Sequence, residues 1–202
     1  MSKKCEWVYR EIMHRVLEKG ERFITQSSLS RSCAVSIGHV NKSIAPLEAI
    51  NAIEKKTRGF RVLDPKKVLA YWSSRRNLRR DVSYQTFSPK PVGQIEREMP
   101  QVLFTGYSGF KQRFGHAPSD YSEVVVYADA DAVRERFPPR EGRPNVMVLR
   151  PDKHLLAFKE VPAGQLFVDL WNLGTWYAED FLRALDAKIG DMTGGGRHGI
   201  LE

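Results

Sequence analysis

Between Ile24 and Leu63 the sequence leaves room for little except two short helices, a tight turn between them, and a hairpin. Thr25 and Ser36 are both good helix N-caps, and Ala34-Val35 supplies the turn that separates the helices they start. Leu29 and Cys33 face inward from the first of the pair. In the second, Val40, Ile44, Leu47 and Asn51 fall on one side at a period of 3.6, with Ile37 beside them, while Gly38, Lys42 and Ala45 project opposite. Pro46 lies inside this pattern. It has no N–H to give to the Lys42 carbonyl and its ring presses on that turn, so a kink or a helix break is predicted there. Ala52-Ile53-Glu54-Lys55 and Phe60-Arg61-Val62-Leu63 then alternate as strands around Lys56-Thr57-Arg58-Gly59, with the glycine placed in the hairpin tip.

Helices flank this stretch on both sides. Trp7, Val8, Ile12, Met13, Val16 and Leu17 recur at three- and four-residue steps from Cys5 to Lys19, and Gly20 is a helix stop. Asp64-Pro65 is an N-cap followed by an N1 proline, and Val68, Leu69 and Trp72 form the apolar stripe of the helix they open. The order is that of a winged helix-turn-helix. Charge agrees with such a module meeting phosphate. The first 90 residues hold 19 Lys and Arg against 8 Asp and Glu, whereas the other 112 hold 13 against 16.

The outward face of the third helix is small and polar, which suits a major groove. Gly38 permits close approach, Asn41 can bond a base edge, and Ser36, His39 and Lys42 can reach phosphates or bases. Thr25 and Ser28, at the start of the preceding helix, join the candidate DNA-binding set. In the wing, Lys55, Lys56, Arg58 and Arg61 sit where a hairpin meets the backbone or minor groove, although charges on a hairpin edge also serve to prevent aggregation. Arg75-Arg76-Asn77-Leu78-Arg79-Arg80 has two open readings, an extension of the phosphate footprint or a solvated helix end.

The stretch from Ser83 to Gly93, with Pro89 and Pro91, reads as linker. Beyond it, Val102 to Thr105 is a short apolar run, Gly106 to Phe114 a helix, and Glu123 to Tyr127 and Asn145 to Leu149 are strands, with Leu155 to Phe158 as a third. Helical spacing returns from Ala163, through Leu166, Phe167, Leu170 and Leu173, and again through Phe181, Leu182, Leu185 and Ile189. The expected fold class is α+β, with a winged helix-turn-helix domain at 1–82, a linker at 83–94, an α+β domain at 95–190, and a disordered tail or cloning remnant at 191–202. Trp171, Trp176 and Tyr177 are expected in the core because they punctuate the join of two helices; an exposed aromatic anchor for a protein partner is the alternative.

The runs LFTGYSGFKQRFG, EVVVYAD and VPAGQLFVDLWNLGTWYAEDFLRAL resemble the carboxy-terminal domain of AbiEi-type antitoxins of type IV toxin-antitoxin systems, a family that carries a winged helix-turn-helix ahead of that domain. The resemblance implies an autorepressor that binds repeats in its own promoter, in a chain expected on its lack of apolar spans and signal core to be cytoplasmic. It also implies a nucleotidyltransferase-like toxin as genetic partner, countered without a stable complex. Asp169 resembles the family's acidic position and is expected to be structural. A homodimer on inverted repeats would be in keeping with a winged helix, though no heptad seam marks its interface.

Catalytic, cofactor and metal sites are not expected. Gly106-Tyr107-Ser108 ahead of Asp129-Ala130-Asp131 has the formal spacing of a nucleotidyltransferase, whose two carboxylates hold magnesium, and this is the alternative function. However, Asp129 ends a hydrophobic strand and precedes a helix-like run, so an N-cap at Asp129 or Asp131 is the expected role. His116 and His154 lack partners at ligand spacing and are expected on the surface, while Cys5 and Cys33 lack CxxC spacing, leaving Cys33 as a small core residue. No apolar run is long enough to span a membrane, and the first residues hold no apolar signal core.

Overall fold

The structure, a computed structural model, describes residues 3–193. Helix α1 (Lys3–Lys19) buries Val8, Ile12, Met13, Val16 and Leu17 and stops at Gly20, whose φ of +68° suits glycine. Strand β1 (Phe23–Thr25) leads into α2 (Gln26–Ser32), α3 (Ile37–Ala49), β2 (Ile53–Lys56) and β3 (Gly59–Val62). Both helices start where their caps predict: Thr25 Oγ1 accepts the Ser28 N–H at 3.2 Å, and Ser36 Oγ accepts the His39 N–H at 3.1 Å. Ala34, with φ +48°, makes the turn between them.

Helix α3 is not broken at Pro46 and runs on to Ala49. Val40, Ile44 and Leu47 are all fully buried, and burying each stabilises by about 1.5–3 kcal/mol. Together they exceed the roughly 3 kcal/mol cost of an interior proline. Two ends of the apolar stripe depart from expectation. Ile37, in the first turn, is 49% exposed, and Asn51 lies past the helix in the left-handed region with φ +53°.

Strand β1 is too short to show alternation and was not legible in the sequence. It completes an antiparallel sheet in the order β1-β3-β2. Gly59 is what allows this: a Cβ there would lie 2.4 Å from the Ile24 carbonyl oxygen. Accordingly Gly59 opens β3, paired with Lys56 and Thr25, and Thr57-Arg58 alone form the hairpin turn.

Helix α4 (Pro65–Arg75) is capped by Asp64, whose carboxylate accepts the Lys67 N–H at 3.1 Å. A 3-10 turn over Leu78–Asp81 follows, then β4 (Val82–Thr86), α5 (Val92–Glu98), β5 (Leu103–Thr105), α6 (Gly106–Phe114), β6 (Val124–Tyr127), α7 (Ala130–Arg136), β7 (Val146–Leu149), α8 (Ala163–Trp171) and α9 (Ala178–Thr193). The segment expected as a linker at 83–94 is therefore a strand and the start of a helix, because β4 pairs with β7. Leu155 to Ala157 form a 3-10 turn rather than a third strand. Of the expected tail, residues up to Thr193 finish α9; the remainder lies outside the described residues.

The second sheet has the order β4-β7-β6-β5, with β6 and β7 parallel and the outer pairs antiparallel. Its alternation serves two layers. Val124 and Val126 face an apolar layer with Ile95 of α5 and Val133 of α7, while Val125 and Tyr127 face the main core. This main core is continuous from Val8 and Ile12 of α1, through Leu29, Ile44 and Phe60, to Leu166, Phe181 and Ile189. The first helix packs on α8, α4 and α3, and a Cβ on Gly164 of α8 would lie 2.6 Å from Met13 Cβ. The fold is α+β, and the expected division between 82 and 95 coincides with no gap in its core.

Candidate nucleic-acid interface

Helix α3 divides its residues by burial. Val40, Ser43, Ile44 and Leu47 are buried, while Gly38, Asn41, Lys42 and Ala45 are exposed. Ser36 is exposed too, with its hydroxyl used in capping His39. Among the described residues Asn41 and Lys42 make no side-chain hydrogen bond or ion pair, so both are available to a ligand. His39 is half-buried, its Nε2 lying 3.7 Å from Cys5 Sγ. The Ser43 hydroxyl donates to the same sulfur at 3.3 Å and to the His39 carbonyl at 2.9 Å. These contacts seat α3 on the first helix.

Thr25 and Ser28 have inward tasks. The Ser28 hydroxyl donates to the Thr25 carbonyl at 2.8 Å and accepts from Arg15 at 2.8 Å. Their side chains hold α2 in place instead of reaching outward. In the β2-β3 hairpin, Lys55 pairs with Glu48 and Lys56 with Glu54, each at 2.5 Å. Arg58 occupies the exposed turn, and Arg61 lies on the outer sheet face opposite Phe23 and Glu54. Neither arginine is paired to a carboxylate among the described residues. Of the candidate residues, Ser36, Gly38, Asn41, Lys42, Arg58 and Arg61 are thus exposed without a carboxylate partner among the described residues, Lys55 and Lys56 are exposed in surface ion pairs, and Thr25, Ser28 and His39 are half-buried.

A buried polar network behind this face was not legible in the sequence. Arg10, only 1% exposed, donates from Nε to Gln165 Oε1 at 2.8 Å and from its terminal nitrogens to Asp152 at 2.9 and 2.7 Å. Gln165 donates to Asp169 Oδ1 at 2.8 Å; Thr105 and the Tyr127 hydroxyl donate to Asp169 Oδ2 at 2.8 and 2.7 Å. Asp169 is fully buried, and both its carboxylate oxygens accept hydrogen bonds, as burial of a charge demands. Arg76 completes the cluster, donating to Asp169 at 2.9 Å and pairing with Glu6 and Asp81. It is therefore neither a phosphate contact nor a solvated helix end. Burial opposes its charge, but the oxygens of Tyr127, Asp169, Glu6 and Asp81 more than offset that and hold the guanidinium charged. One signal was present in the sequence: Gln165 and Asp169 stand one helical turn apart in an otherwise apolar helix.

His154, expected on the surface, is buried, with Nε2 3.3 Å from Glu11 and Nδ1 3.2 Å from Arg10. Burial pushes the Glu11 carboxyl up, yet hydrogen bonds from His154 and Arg15 win and hold it at about 2. His116 is exposed. Cys33 is buried, which pushes its thiol up to about 12.

Trp171 and Trp176 are corrections to the expected core, at 49% and 81% exposed. Tyr177 alone of the three is buried, its ring 5.0 Å from that of Tyr107. Asp129 caps α7, accepting the Asp131 N–H at 3.1 Å, and Asp131 pairs with Arg134 at 2.5 Å. Among the described residues no group of three His, Cys, Asp or Glu side chains is arranged to hold a metal, and no helix is long and apolar enough to cross a membrane.

Comparison with protein-family models, curated proteins and solved structures gave no match.

Proposed function

We propose that the chain is a sequence-specific double-stranded DNA-binding regulator, with α1 to α4 and the β1-β3-β2 sheet acting as a winged helix-turn-helix. The observation that carries this reading is the exposed face of α3, where Gly38 and Ala45 leave room for a groove and Asn41 and Lys42 are free of internal partners. The exposed Arg58 at the hairpin tip is placed to meet the backbone beside it. In line with the AbiEi resemblance, the regulated DNA is its own upstream region, and the role is autorepression as the antitoxin of a type IV pair. No catalytic step belongs to this reading. Asp129 and Asp131 are each engaged locally, as a cap and as an ion pair.

Fluorescence anisotropy with a labelled duplex of the upstream DNA and a scrambled duplex of equal length tests it. Binding should favour the native duplex, with log affinity falling linearly against log salt. Asn41→Ala should reduce discrimination by about 1–3 kcal/mol if its base contact is bidentate, and Lys42→Ala or Arg58→Ala should weaken both duplexes alike. Equal, weak affinity for the two duplexes would sink the proposal.

A further inference from the structure

The first turns of α1 bring two surfaces together. Cys5 lies against His39 and Ser43 of α3, and the next residue, Glu6, forms an ion pair with Arg76 just beyond α4. Tyr9, one turn on, donates from its hydroxyl to the Ser43 carbonyl at 2.7 Å while its ring lies 6.0 Å from Tyr71 and 6.3 Å from Trp72. The inward side of α3 and the end of α4 thus both rest on the first turns of α1.

The arginines around Arg76 divide by environment. Arg76 is consumed by Glu6, Asp81 and Asp169, whereas Arg75, Arg79 and Arg80 are exposed and, among the described residues, paired to no carboxylate. Arg79 also lines an open groove of about 860 Å³ along β4, the edge of the second sheet. Val82 and Met147 contribute its apolar part, and Arg143 lines it from the loop before β7. Arg143 is 86% exposed, with one long contact of 4.0 Å to Glu123, and no acidic side chain lines the groove. A groove lined by two arginines and no carboxylate, beside further exposed arginines, has the charge of a phosphate-backbone site.

We infer that Arg75, Arg79 and Arg80, with Arg143 across the groove, form a second contact surface for the phosphate backbone of the duplex flanking the segment read by α3. The inference rests on the DNA-binding reading proposed for α3 and the wing. It makes the footprint larger than the helix and wing alone, and it adds affinity without sequence preference, because phosphates carry no base information.

The test is anisotropy of the full chain with the labelled upstream and scrambled duplexes, from about 50 to 200 mM salt. The exposed triple substitution Arg75→Ala/Arg79→Ala/Arg80→Ala should leave the melting temperature unchanged. Its salt slope should fall by about 0.9 for each phosphate no longer neutralised, or about 2 to 3 in all, with the preference for the native duplex retained. Arg143→Ala alone should lower the slope by about 1. A wild-type slope in both variants, beside a reduced slope in Lys42→Ala/Arg58→Ala, would overturn this inference while the DNA-binding reading stands. A wild-type protein that shows neither salt-dependent binding nor preference between duplexes overturns both.

Discussion

The guanidinium of Arg10 donates to both carboxylate oxygens of Asp152, at 2.9 and 2.7 Å, joining the first helix to the segment that follows the last strand. From this pair, polar contacts run through Gln165 to Asp169 and Arg76 on one side, and through His154, Glu11 and Arg15 to Ser28 and Ser32 of α2 on the other. Helices α1 and α2 are thereby tied to α8 and to the segment after the second sheet by specific bonds as well as by apolar packing.

Arg10→Ala should destabilise the chain by about 3–5 kcal/mol, since it leaves a cavity beside the fully buried Gln165 and removes the guanidinium from the partly buried Asp152. The midpoint of urea unfolding reports this directly. A loss below about 1 kcal/mol would mean that the network is dispensable.

Gly164→Ala addresses the contact between halves by apolar packing instead. The added Cβ would meet Met13 Cβ at 2.6 Å, close to the backbone of α1, so α8 must shift away. A loss of about 1–3 kcal/mol is expected, read as a lower melting temperature in a single transition. Two separate transitions in the unsubstituted chain would show that the halves unfold independently, contrary to the shared core.

Ala34→Gly should stabilise. Ala34 is exposed with φ +48°, a conformation that costs a residue with a Cβ about 1–2 kcal/mol and costs glycine nothing. The freer unfolded glycine chain gives back about 0.4–1 kcal/mol. A net rise of about 0.5 kcal/mol follows from these two terms, measurable as a shift to higher denaturant; an unchanged or lower midpoint would show that the turn is relaxed as it stands.

Acid should unfold the chain partly through Glu11. Burial raises its carboxyl, but His154 and Arg15 prevail and bring it from 4.5 to about 2, so its contribution is complete above about pH 4.5 and is lost as pH falls toward 2. Glu18 and Asp152 are lowered as well and lose stability in the same direction. Glu6, raised by burial against the pull of Arg76, has the opposite sign and softens the fall. Glu11→Gln should begin less stable at neutral pH and lose less on acidification; parallel pH profiles for the two proteins would remove Glu11 from the account.

Much of the local structure was legible because its causes are local. The caps Thr25, Ser36 and Asp64 each bond a backbone N–H three residues on, so the residue type and the start of the apolar stripe suffice to place them, whereas the structure was needed to choose Asp129 over Asp131 as the cap of α7. The outward face of α3 follows from its period in the same way. Of the candidate site, Asn41, Lys42 and Arg58 could be placed on open surface from sequence, whereas the inward engagement of Thr25 and Ser28 depends on Arg15 from another helix.

By itself, then, the sequence determined the α+β class, most of the helices with the caps of α2 to α4, the hairpin, and the concentration of positive charge in the first half, while β4 and the start of α5 read as linker. Only the tertiary structure decided which polar groups that charge would meet internally. Arg76 finds Asp169 across 93 positions and Arg10 finds Asp152 across 142, and His154 is buried between them and Glu11. The same holds for β1, whose pairing depends on the missing side chain of Gly59, and for Trp171 and Trp176, left outside while Tyr177 fills the core. The physical reason is common to all of these. Caps and stripes are set by neighbours along the chain, whereas burial of a charge or an aromatic ring is set by partners that folding alone brings within reach.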